Sequence, residues 1–337
     1  MKLNKTTIVF IILDILACIG LFLTYGPISY FRDLLVTTAM TTMNHRYLAQ
    51  VFYSDPVIEK VLSNNYVVDN GEDSDTSHIV FSEKKVDTYA SVYEEAILKR
   101  NEGDLYKVIP IKEATYSGYL VAIYDAKRVS LAMATNYGYS GQTLDKLMKD
   151  NDAIVGINAS GFIDPNLAGN GGIATGIVIH DSKIINDKES IRYEGGIVGF
   201  NSEGVLMLTH KSAKEAIEDG MVDGMQFGPF LIVNGESSYI KGNGGWGINP
   251  RTAIGQRQDG IVLFLVIDGR QPGYSIGASI TDVTKILLRY GAYNASNLDG
   301  GASSTLVVEN EIINRPCGVC TNGSLCARQI PNAWILK

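Results

Sequence analysis

The stretch IVLFLVIDGR, residues 261–270, contains a clear strand signal followed by a turn. Its apolar part is rich in Val and Ile, which is typical of a strand, and Asp-Gly supplies the turn that ends it. From Tyr106 onward the chain repeats this arrangement of a short β-rich run closed by Gly or by an Asn or Asp turn. The further runs are residues 118–124, 153–158, 173–180, 197–200, 205–208 and 305–308.

Two helical patterns stand between these runs, at residues 142–150 and 279–290. The second begins at Ser279 and Asp282 in a pattern like a capping box, has apolar residues on one face, and ends before Gly291. Helices are too few for the strands of a doubly wound α/β fold. The sequence therefore predicts an α+β domain with a mostly mixed or antiparallel sheet and few helices.

The composition is that of a folded, acidic protein. Of the 337 residues 45% are hydrophobic, which is enough for the core of one large domain or two modest ones. The formal charge is −7 and no run of Lys or Arg exceeds two residues, which argues against a nucleic-acid partner. The 35 glycines make up roughly a tenth of the chain, above the average share of about 7%, and indicate many tight turns.

An apolar run at residues 7–26 is long enough, as a helix, to cross the ~30 Å hydrocarbon core of a bilayer. Lys2 and Lys5 precede the run, whereas Arg32 beyond it is offset by Asp33. The positive-inside rule then places the N-terminus in the cytoplasm and the following chain outside, as a single-pass cell-membrane protein. A cleaved signal peptide is the alternative, although no small-x-small cleavage site follows the run.

These patterns divide the chain into three expected segments. Residues 1–27 form a cytoplasmic tip and transmembrane anchor, residues 28–105 a partly helical stalk or linker, and residues 106–337 the catalytic domain. Within the stalk, residues 69–78 are polar and acidic and have the composition of a loop.

Four polar clusters accompany the apolar strands. They are residues 156–162 with Asp164, residues 249–255, residues 268–270 and residues 297–304. Each alone is an ordinary turn pattern. Together they supply two carboxylates and two arginines on glycine-rich backbone. Because glycine lets backbone N–H groups approach an anion and arginine binds phosphate through two N–H groups, the set indicates a site for an anionic sugar or phosphate.

The motifs behind these clusters occur in a fixed order. They are GINASGF at 156–162, GG at 171–172, FGPFLIVNG at 227–235, PRTAIG at 250–255, DGR at 268–270, NLDGG at 297–301 with Ser303 and Ser304, and Arg328 with a closing strand at 330–336. With this set, residues from about 115 to 337 closely resemble the phosphodiester glycosidase family. That family includes the mannose-6-phosphate "uncovering" enzyme and bacterial exopolysaccharide-associated proteins.

The resemblance implies a hydrolase that cleaves the sugar-side bond of sugar-1-phosphodiesters of the GlcNAc-1-phosphate type, in cell-envelope or exopolysaccharide metabolism. It implies no cofactor. Its expected partners are a sugar-1-phosphodiester or anionic glycopolymer as substrate and the membrane through the N-terminal helix.

The reaction also suggests roles for individual residues. A phosphate monoester is a good leaving group, so neutralising its charge replaces most of the work of a general acid. We expect Asp268 and Asp299 to be catalytic, one as nucleophile or general base and the other orienting the sugar. Arg251 and Arg270 are expected on the phosphate, and Asn158 on an acetamido or hydroxyl group.

The remaining expected substrate-binding residues are Gly300, Gly301, Ser303, Ser304 and Arg328. The two serines are expected to hydrogen-bond phosphate or the turn, since no motif histidine accompanies them as a triad would require. His180 is expected to be a strand-end residue and not a base.

Cys317, Cys320 and Cys326 lie where the family typically runs from an Asn-x-Pro strand end straight to its C-terminal arginine. They lack the fourth sulfur or nearby histidine of a structural zinc site, so no metal is predicted. Outside the membrane, one disulfide with one spare thiol is expected.

Two alternatives to hydrolysis remain open from the sequence. One is a transferase that moves the glycosyl or glycosyl-phosphate group to an acceptor other than water. The other is a non-catalytic module that binds an anionic polymer, against which the intact carboxylates at 268 and 299 argue.

Overall fold

The computed structural model of the protein describes residues 4–42, 45–81, 88–163, 170–188, 195–319 and 323–337. The chain forms two compact units. The first consists of Met1–Tyr66 and Lys241–Gly247, and the second of Val67–Ile240 and Ile248–Lys337. Asp164 and Cys320, which the sequence singled out, lie outside the described residues.

The first unit is helical. Its helices are α1 (Lys5–Tyr25), α2 (Ser29–Met40), α3 (Tyr47–Gln50) and α4 (Asp55–Leu62). The last three enclose a small core whose buried members are Val36, Ala39, Ala49, Tyr53, Ile58 and Val61. The segment Lys241–Gly247 is fastened to them by Asn243, whose N–H donates to Asn65 Oδ1 and whose side-chain amide donates to Thr37 Oγ1.

Helix α1 matches the expected apolar segment. It begins at an N-cap, where Asn4 Oδ1 accepts a hydrogen bond from the Thr7 N–H at 2.7 Å. It has 21 residues, is strongly apolar and has no buried residue. By length and composition it can cross a membrane, and a signal sequence near the N-terminus has the same properties.

The described residues of the second unit form most of the strands and four short α-helices. The helices are α5 (Val92–Leu98), α6 (Leu144–Asp150), α7 (Ala213–Glu218) and α8 (Ile280–Arg289). The strands of the chain, in order, are β1 (Tyr66–Val68), β2 (Tyr106–Lys112), β3 (Ser117–Ile123), β4 (Val129–Met133), β5 (Val155–Asn158), β6 (Phe162–Ile163), β7 (Ile173–Ala174), β8 (Val178–His180), β9 (Lys183–Asn186), β10 (Ile197–Asn201), β11 (Leu206–Thr209), β12 (Met221–Gln226), β13 (Phe230–Val233), β14 (Glu236–Ser237), β15 (Tyr239–Lys241), β16 (Arg251–Arg257), β17 (Val262–Ile267), β18 (Ala292–Asn297), β19 (Leu306–Val308), β20 (Glu311–Ile312), β21 (Gly318–Val319), β22 (Leu325–Cys326) and β23 (Asn332–Leu336).

The largest sheet has seven strands in the order β14-β13-β18-β16-β17-β3-β2, and neighbouring strands are antiparallel. Strand β17 lies between β16 and β3, and every one of its residues is buried. This central position explains why its sequence is continuously apolar and does not alternate. Helix α8 packs beside this sheet through a buried face that includes Val283 and Leu287.

The second unit also contains two five-stranded antiparallel sheets and the two-stranded pairs β6-β7 and β21-β22. One has the order β20-β19-β5-β23-β4 and carries α6, whose Leu144, Leu147 and Met148 share a core with Val307 and Ile335. The other has the order β11-β10-β12-β8-β9 and carries α7, which begins with a capping box between Ser212 and Glu215.

The observed architecture confirms the expected α+β class. The expected strands are present, with the run at 173–180 divided into β7 and β8. The expected start of α8 is also present, since Ser279 and Asp282 exchange the capping-box hydrogen bonds. Gly291, just after the helix, has a φ of +81°, which suits glycine and ends the helix.

The polar segment at residues 69–78 is part of the second unit, ends in a short 3₁₀ helix at Thr76–His78, and is hydrogen-bonded to other parts of that unit. The Ser74 N–H donates to Leu208 O at 2.8 Å, and the Leu208 N–H donates back to Ser74 Oγ at 2.8 Å. Further along, the Asp75 N–H donates to Asn234 Oδ1 at 2.7 Å. Asp and Ser therefore serve here as hydrogen-bond partners for a sheet edge, and the composition alone did not indicate that.

One polar contact within this fold depends on pH. His180, at the end of β8, is 2.9 Å through Nδ1 from Asp223 Oδ1 on β12, and Asp223 also accepts a hydrogen bond from the Leu131 N–H. The hydrogen bond to Asp223 is the main reason that the pKa of His180 is raised above its usual 6.5. The imidazolium form is therefore the one that the folded protein favours.

We predict that His180→Gln destabilises the protein more at acidic than at alkaline pH. Because the folded pKa lies above the unfolded one, the stabilisation is fully present below about pH 6.5 and is lost as the pH rises through the folded value. Urea unfolding of the wild type and the variant from about pH 5.5 to pH 8.5 measures the difference. Lys183→Gln, on the neighbouring exposed strand, is the control, and a difference that does not change with pH would contradict the prediction.

Candidate active site

Asp268 follows directly after β17 and is held there by main-chain bonds. Its N–H donates to Ser117 O at 2.9 Å, and Ser275 Oγ donates to its carbonyl at 2.6 Å. The side chain is 1% exposed. Strand β17 therefore delivers this carboxylate into the interior at the end of the sheet.

Both oxygens of the Asp268 carboxylate accept hydrogen bonds. Oδ1 accepts from Asn314 Nδ2 and from the Arg315 N–H, each at 2.9 Å, and Oδ2 accepts from the Tyr274 hydroxyl at 2.8 Å. Burial raises the pKa of Asp268, while these donors act in the opposite direction. Burial, together with the bond to Asp268, also raises the pKa of Tyr274 to about 12, so this hydroxyl remains a neutral donor.

Asp299 lies in the loop that follows β18 and is partly exposed, in contrast to Asp268. Its N–H donates to Ala159 O at 3.1 Å, and its carbonyl accepts from Asn158 Nδ2 at 2.6 Å. These two bonds tie the loop to the end of β5, so the position of Asp299 depends on a strand in a different sheet.

Asn158 is the residue that fixes this loop. It is completely buried, and its Oδ1 accepts from Thr252 Oγ1 at 2.8 Å and from the Thr305 N–H at 3.2 Å. Since its side-chain amide donates to the Asp299 carbonyl, both ends of the side chain are engaged inside the protein. The Asn158 side chain thus holds the loop from inside the protein and does not project into solvent.

The glycines after Asp299 allow its loop to approach two neighbours closely. Gly301 has a φ of +63° and donates its N–H to Pro250 O at 2.9 Å. A Cβ added at Gly300 would lie 2.7 Å from Pro250 O, and one added at Gly301 would lie 3.1 Å from Arg270 Nη2. The backbone of the loop therefore lies against the Arg270 guanidinium, an arrangement that a larger residue would disturb.

The two arginines differ in environment. Arg251 is the first residue of β16, is 3% exposed, and donates from Nε to Ala278 O at 2.9 Å. Burial, together with the positive charge of Arg270, lowers the pKa of Arg251 to about 9, so it remains a cation at neutral pH. Arg270 is exposed, has a φ of +59°, and donates from Nη2 to Asn249 Oδ1 at 2.9 Å.

The other expected residues are two serines that follow the Asp299 loop and Arg328, which lies beside Phe162. Ser303 and Ser304 are buried, and their N–H groups donate to Gly300 O and Gly301 O in the short 3₁₀ helix Gly301–Ser303. Arg328 places its guanidinium 4.3 Å above the ring of Phe162, the last residue of the first sequence motif. The structure therefore gathers the strand-end residues 158, 251, 268, 270 and 299–304 into one neighbourhood.

Four buried polar atoms near this neighbourhood have no hydrogen-bond partner among the described residues. They are Asn297 Oδ1, Ser304 Oγ, Ser160 Oγ and Asn332 Nδ2. Asn297 and Ser304 flank the Asp299 loop, and the Ser160 N–H donates to Asn332 Oδ1. Unpaired buried polar atoms cost free energy, but Tyr137, Thr175, Asn294 and Trp334 each have one as well, so these atoms alone do not mark a functional region.

Sequence reasoning missed the residues that hold Asp268. Tyr274 lies in an irregular loop that contains no recognisable sequence motif. Asn314, in contrast, belongs to the Asn-x-Pro strand end noted above as a family feature. The Arg315 guanidinium lies 4.1 Å from the centre of the Tyr274 ring, and Arg315 O accepts from Gln271 Nε2 at 2.8 Å. The start of the cysteine-containing loop is thus attached directly to the loop after β17.

The cysteines agree with the expectation of one disulfide and one thiol. Cys326 is disulfide-bonded, and Cys317 is a thiol. Burial raises the pKa of the Cys317 thiol, and the nearby Arg270 guanidinium acts in the opposite direction. The cysteine loop therefore contacts both Asp268 and Arg270.

One group among the described residues has ligand atoms close enough to hold a metal ion, namely His180, Asp181 and Asp223, within 4.8 Å of one another. His180 is already bonded to Asp223, and Asp223 accepts two main-chain N–H groups, from Leu131 and Asp181. These contacts account for the cluster as part of the sheet. None of its three residues belongs to the group at positions 158, 251, 268, 270 and 299–304.

An antiparallel α+β domain that brings carboxylates and arginines together at its strand ends has the groups that an anionic sugar or phosphate site needs. Residues 151–337 match the model of the phosphodiester glycosidase family. The chain therefore belongs to the phosphodiester glycosidase family.

Individual relatives are distant. The chain is 29% identical over 180 residues to the SPbeta prophage-derived protein YomE of Bacillus subtilis (strain 168), covering 51% of this chain and 27% of YomE. It is 22% identical over 210 residues to human N-acetylglucosamine-1-phosphodiester alpha-N-acetylglucosaminidase, covering 61% of this chain and 37% of that enzyme. The matches thus span well under half the length of these relatives.

A solved structure supports the fold. The zebrafish N-acetylglucosamine-1-phosphodiester alpha-N-acetylglucosaminidase catalytic domain, auto-inhibited by its pro-peptide, aligns with a TM-score of 0.58 at 21% identity. The alignment covers 71% of this chain and 85% of the zebrafish chain. At this identity the likeness concerns the fold.

We predict that Asn158→Ala lowers the free energy of unfolding by roughly 2–4 kcal/mol, because it leaves buried partners of the amide unsatisfied. Asn151→Ala is the matched control. Its side chain makes one partly buried bond, to Leu147 O, and its loss is expected to cost below about 1 kcal/mol. Urea unfolding measures both, and equal effects of the two substitutions would contradict the structural role of Asn158.

Proposed function

We propose that this protein is a membrane-anchored, extracytoplasmic hydrolase that cleaves the glycosidic bond of sugar-1-phosphodiesters of the GlcNAc-1-phosphate type. The observation that carries the proposal is the packing of the Asp299–Gly301 loop against the exposed Arg270 guanidinium. The loop that carries Asp299 thus lies beside a cation, which suits cleavage of a bond that joins a sugar carbon to a phosphate. The proposal extends to cell-envelope or exopolysaccharide metabolism as its setting.

Arg270 is assigned to the leaving phosphate. It is exposed, and its side chain is oriented by Asn249 and by the Gly301 backbone. As the bond from the sugar to the phosphate oxygen breaks, negative charge grows on the phosphate, and a fixed guanidinium stabilises it. Arg251, buried behind the site, adds positive potential without requiring contact with the substrate.

The carboxylates take different parts in this proposal. Asp299 is partly exposed and is assigned to the sugar, as nucleophile or as the base that activates water at the anomeric carbon. Asp268 is buried and accepts three hydrogen bonds, so it is assigned to orienting the site through Tyr274 and Asn314. Asn158, Gly300, Gly301, Ser303 and Ser304 shape the loop that carries Asp299, and Arg328 is assigned to the substrate's outer part.

The anchoring half of the proposal depends on α1. At about 1.5 Å per residue, a helix of this length reaches across a hydrocarbon core of about 30 Å. The lysines at positions 2 and 5 favour a cytoplasmic N-terminus, which leaves the second unit outside the cell membrane.

We predict that the full chain hydrolyses UDP-GlcNAc with release of free GlcNAc and that Asp299→Asn lowers kcat by a factor on the order of 10² or more while the protein stays folded. Asp268→Asn is expected to lower kcat as well, because its hydrogen bonds hold neighbouring site groups. Asp187→Asn, an exposed aspartate, is the control. If folded variants at 268 and 299 both keep wild-type turnover on every substrate that the parent cleaves, the assignment of the site is wrong.

A second prediction separates the arginines from the carboxylates. Arg270→Lys keeps a positive charge but loses the planar fork, so its rate defect should be smaller on a substrate with a better leaving group. The Asp299→Asn defect should depend less on the leaving group. Rates on two aglycones of different pKa, with Arg289→Lys as a surface control, measure this, and an Arg270→Lys defect that is equal on both substrates would exclude the phosphate role.

A further inference from the structure

We propose that one face of the first unit lies in the headgroup and upper acyl layer of the bilayer that α1 crosses. This interfacial face consists of Tyr30, Phe31, Tyr47, Leu48, Val51 and Phe52. The proposal rests on the membrane anchoring proposed above and adds a second contact with the same membrane.

These side chains are more exposed than the core of the unit requires. Val51 is 71% exposed and Tyr30 60% exposed, although α2, α3 and α4 already enclose their own buried core. A soluble protein rarely leaves several large apolar side chains exposed together, and such groups usually mark a surface that contacts protein or lipid. The first unit therefore exposes apolar side chains that are not part of its own buried core.

The depth of this face is set by hydrogen bonds to the end of α1. The Tyr25 hydroxyl donates to Phe52 O at 3.0 Å, and the Tyr53 hydroxyl donates to Thr24 O at 2.8 Å. The rings of Tyr25 and Tyr53 also meet edge to face, with centroids 6.0 Å apart. Because α1 ends at Tyr25, a bilayer crossed by α1 has its outer boundary at the level of Phe52.

The remaining members of the face lie close to these contacts along the chain. Val51 is adjacent to Phe52, and Leu48 precedes Phe52 by one helical turn. Tyr30 and Phe31 lie in the first turn of α2, shortly after α1 ends, and their rings pack edge to face at 5.5 Å. The apolar residues are therefore concentrated at the level where α1 leaves the hydrocarbon.

The chemistry of the face fits lipid in particular. Tyrosine is enriched at the boundary between membrane and water because its ring is apolar while its hydroxyl remains hydrated. Phe, Leu and Val add the apolar area that an interfacial helix buries in the headgroup and acyl boundary. A face with this composition, continuous with a membrane span, has the bilayer as its nearest apolar partner.

Tryptophan quenching in the full chain tests the proposal. Val51→Trp, Leu16→Trp and Val92→Trp variants are reconstituted in phosphatidylcholine and phosphatidylglycerol vesicles, with bromine either high on the acyl chains or near their ends. The parent chain gives the background from Trp246 and Trp334. Val92, in the second unit, is 72% exposed and is the matched control for Val51.

The expected result is a loss of Val51→Trp emission with the high bromines, a loss of Leu16→Trp emission mainly with the deep bromines, and no loss for Val92→Trp. If Leu16→Trp is not quenched, the membrane anchoring is wrong, and the proposed interfacial face is wrong as well. If Leu16→Trp is quenched but Val51→Trp remains as open to aqueous iodide as Val92→Trp, the interfacial face alone is wrong. Protection of Val51→Trp from iodide without bromine quenching would instead assign the face to a protein partner and overturn the proposal.

Discussion

The buried amide of Asn158 is the contact on which the arrangement of the strand ends depends. It stands at the end of β5 in a five-stranded sheet, yet its oxygen accepts from Thr252 on β16 in the seven-stranded sheet. Its nitrogen meanwhile holds the carbonyl of Asp299, after β18. One side chain therefore joins two sheets and a loop. A buried amide whose oxygen and nitrogen are both hydrogen-bonded allows fewer relative positions of these elements than apolar packing does.

The parts of the fold that the sequence predicted are those encoded in contiguous residues. The run that became β17 is apolar because the strand is buried on both faces, and the start of α8 is visible because a capping box spans only Ser279 to Asp282. Strand β16 was harder to recognise, since Arg251 and Thr252 within it are polar and yet buried. Their burial depends on partners far away in the chain, and a local pattern does not encode such partners.

The same reason explains what was missed around the carboxylates. The residue types and their strand-end positions indicated Asp268 and Asp299, but not their different environments. Two of the hydrogen bonds that the Asp268 carboxylate accepts come from Asn314 and Arg315, which follow it in the chain after α8, β18, β19 and β20. Likewise Arg251 and Arg270 read as an equivalent pair in the sequence, whereas the structure places the first inside the protein and the second at its surface.

The cysteine loop relates the site to the cell's redox compartments. Asn314 and Arg315 support Asp268 from its start, Cys317 contacts Arg270, and the hairpin of β21 and β22 that follows includes the disulfide-bonded Cys326. In a reducing cytoplasm such a cross-link does not persist. If the protein is the extracytoplasmic hydrolase proposed above, the cross-link at Cys326 forms only after export, and the hairpin next to the site differs between the two compartments.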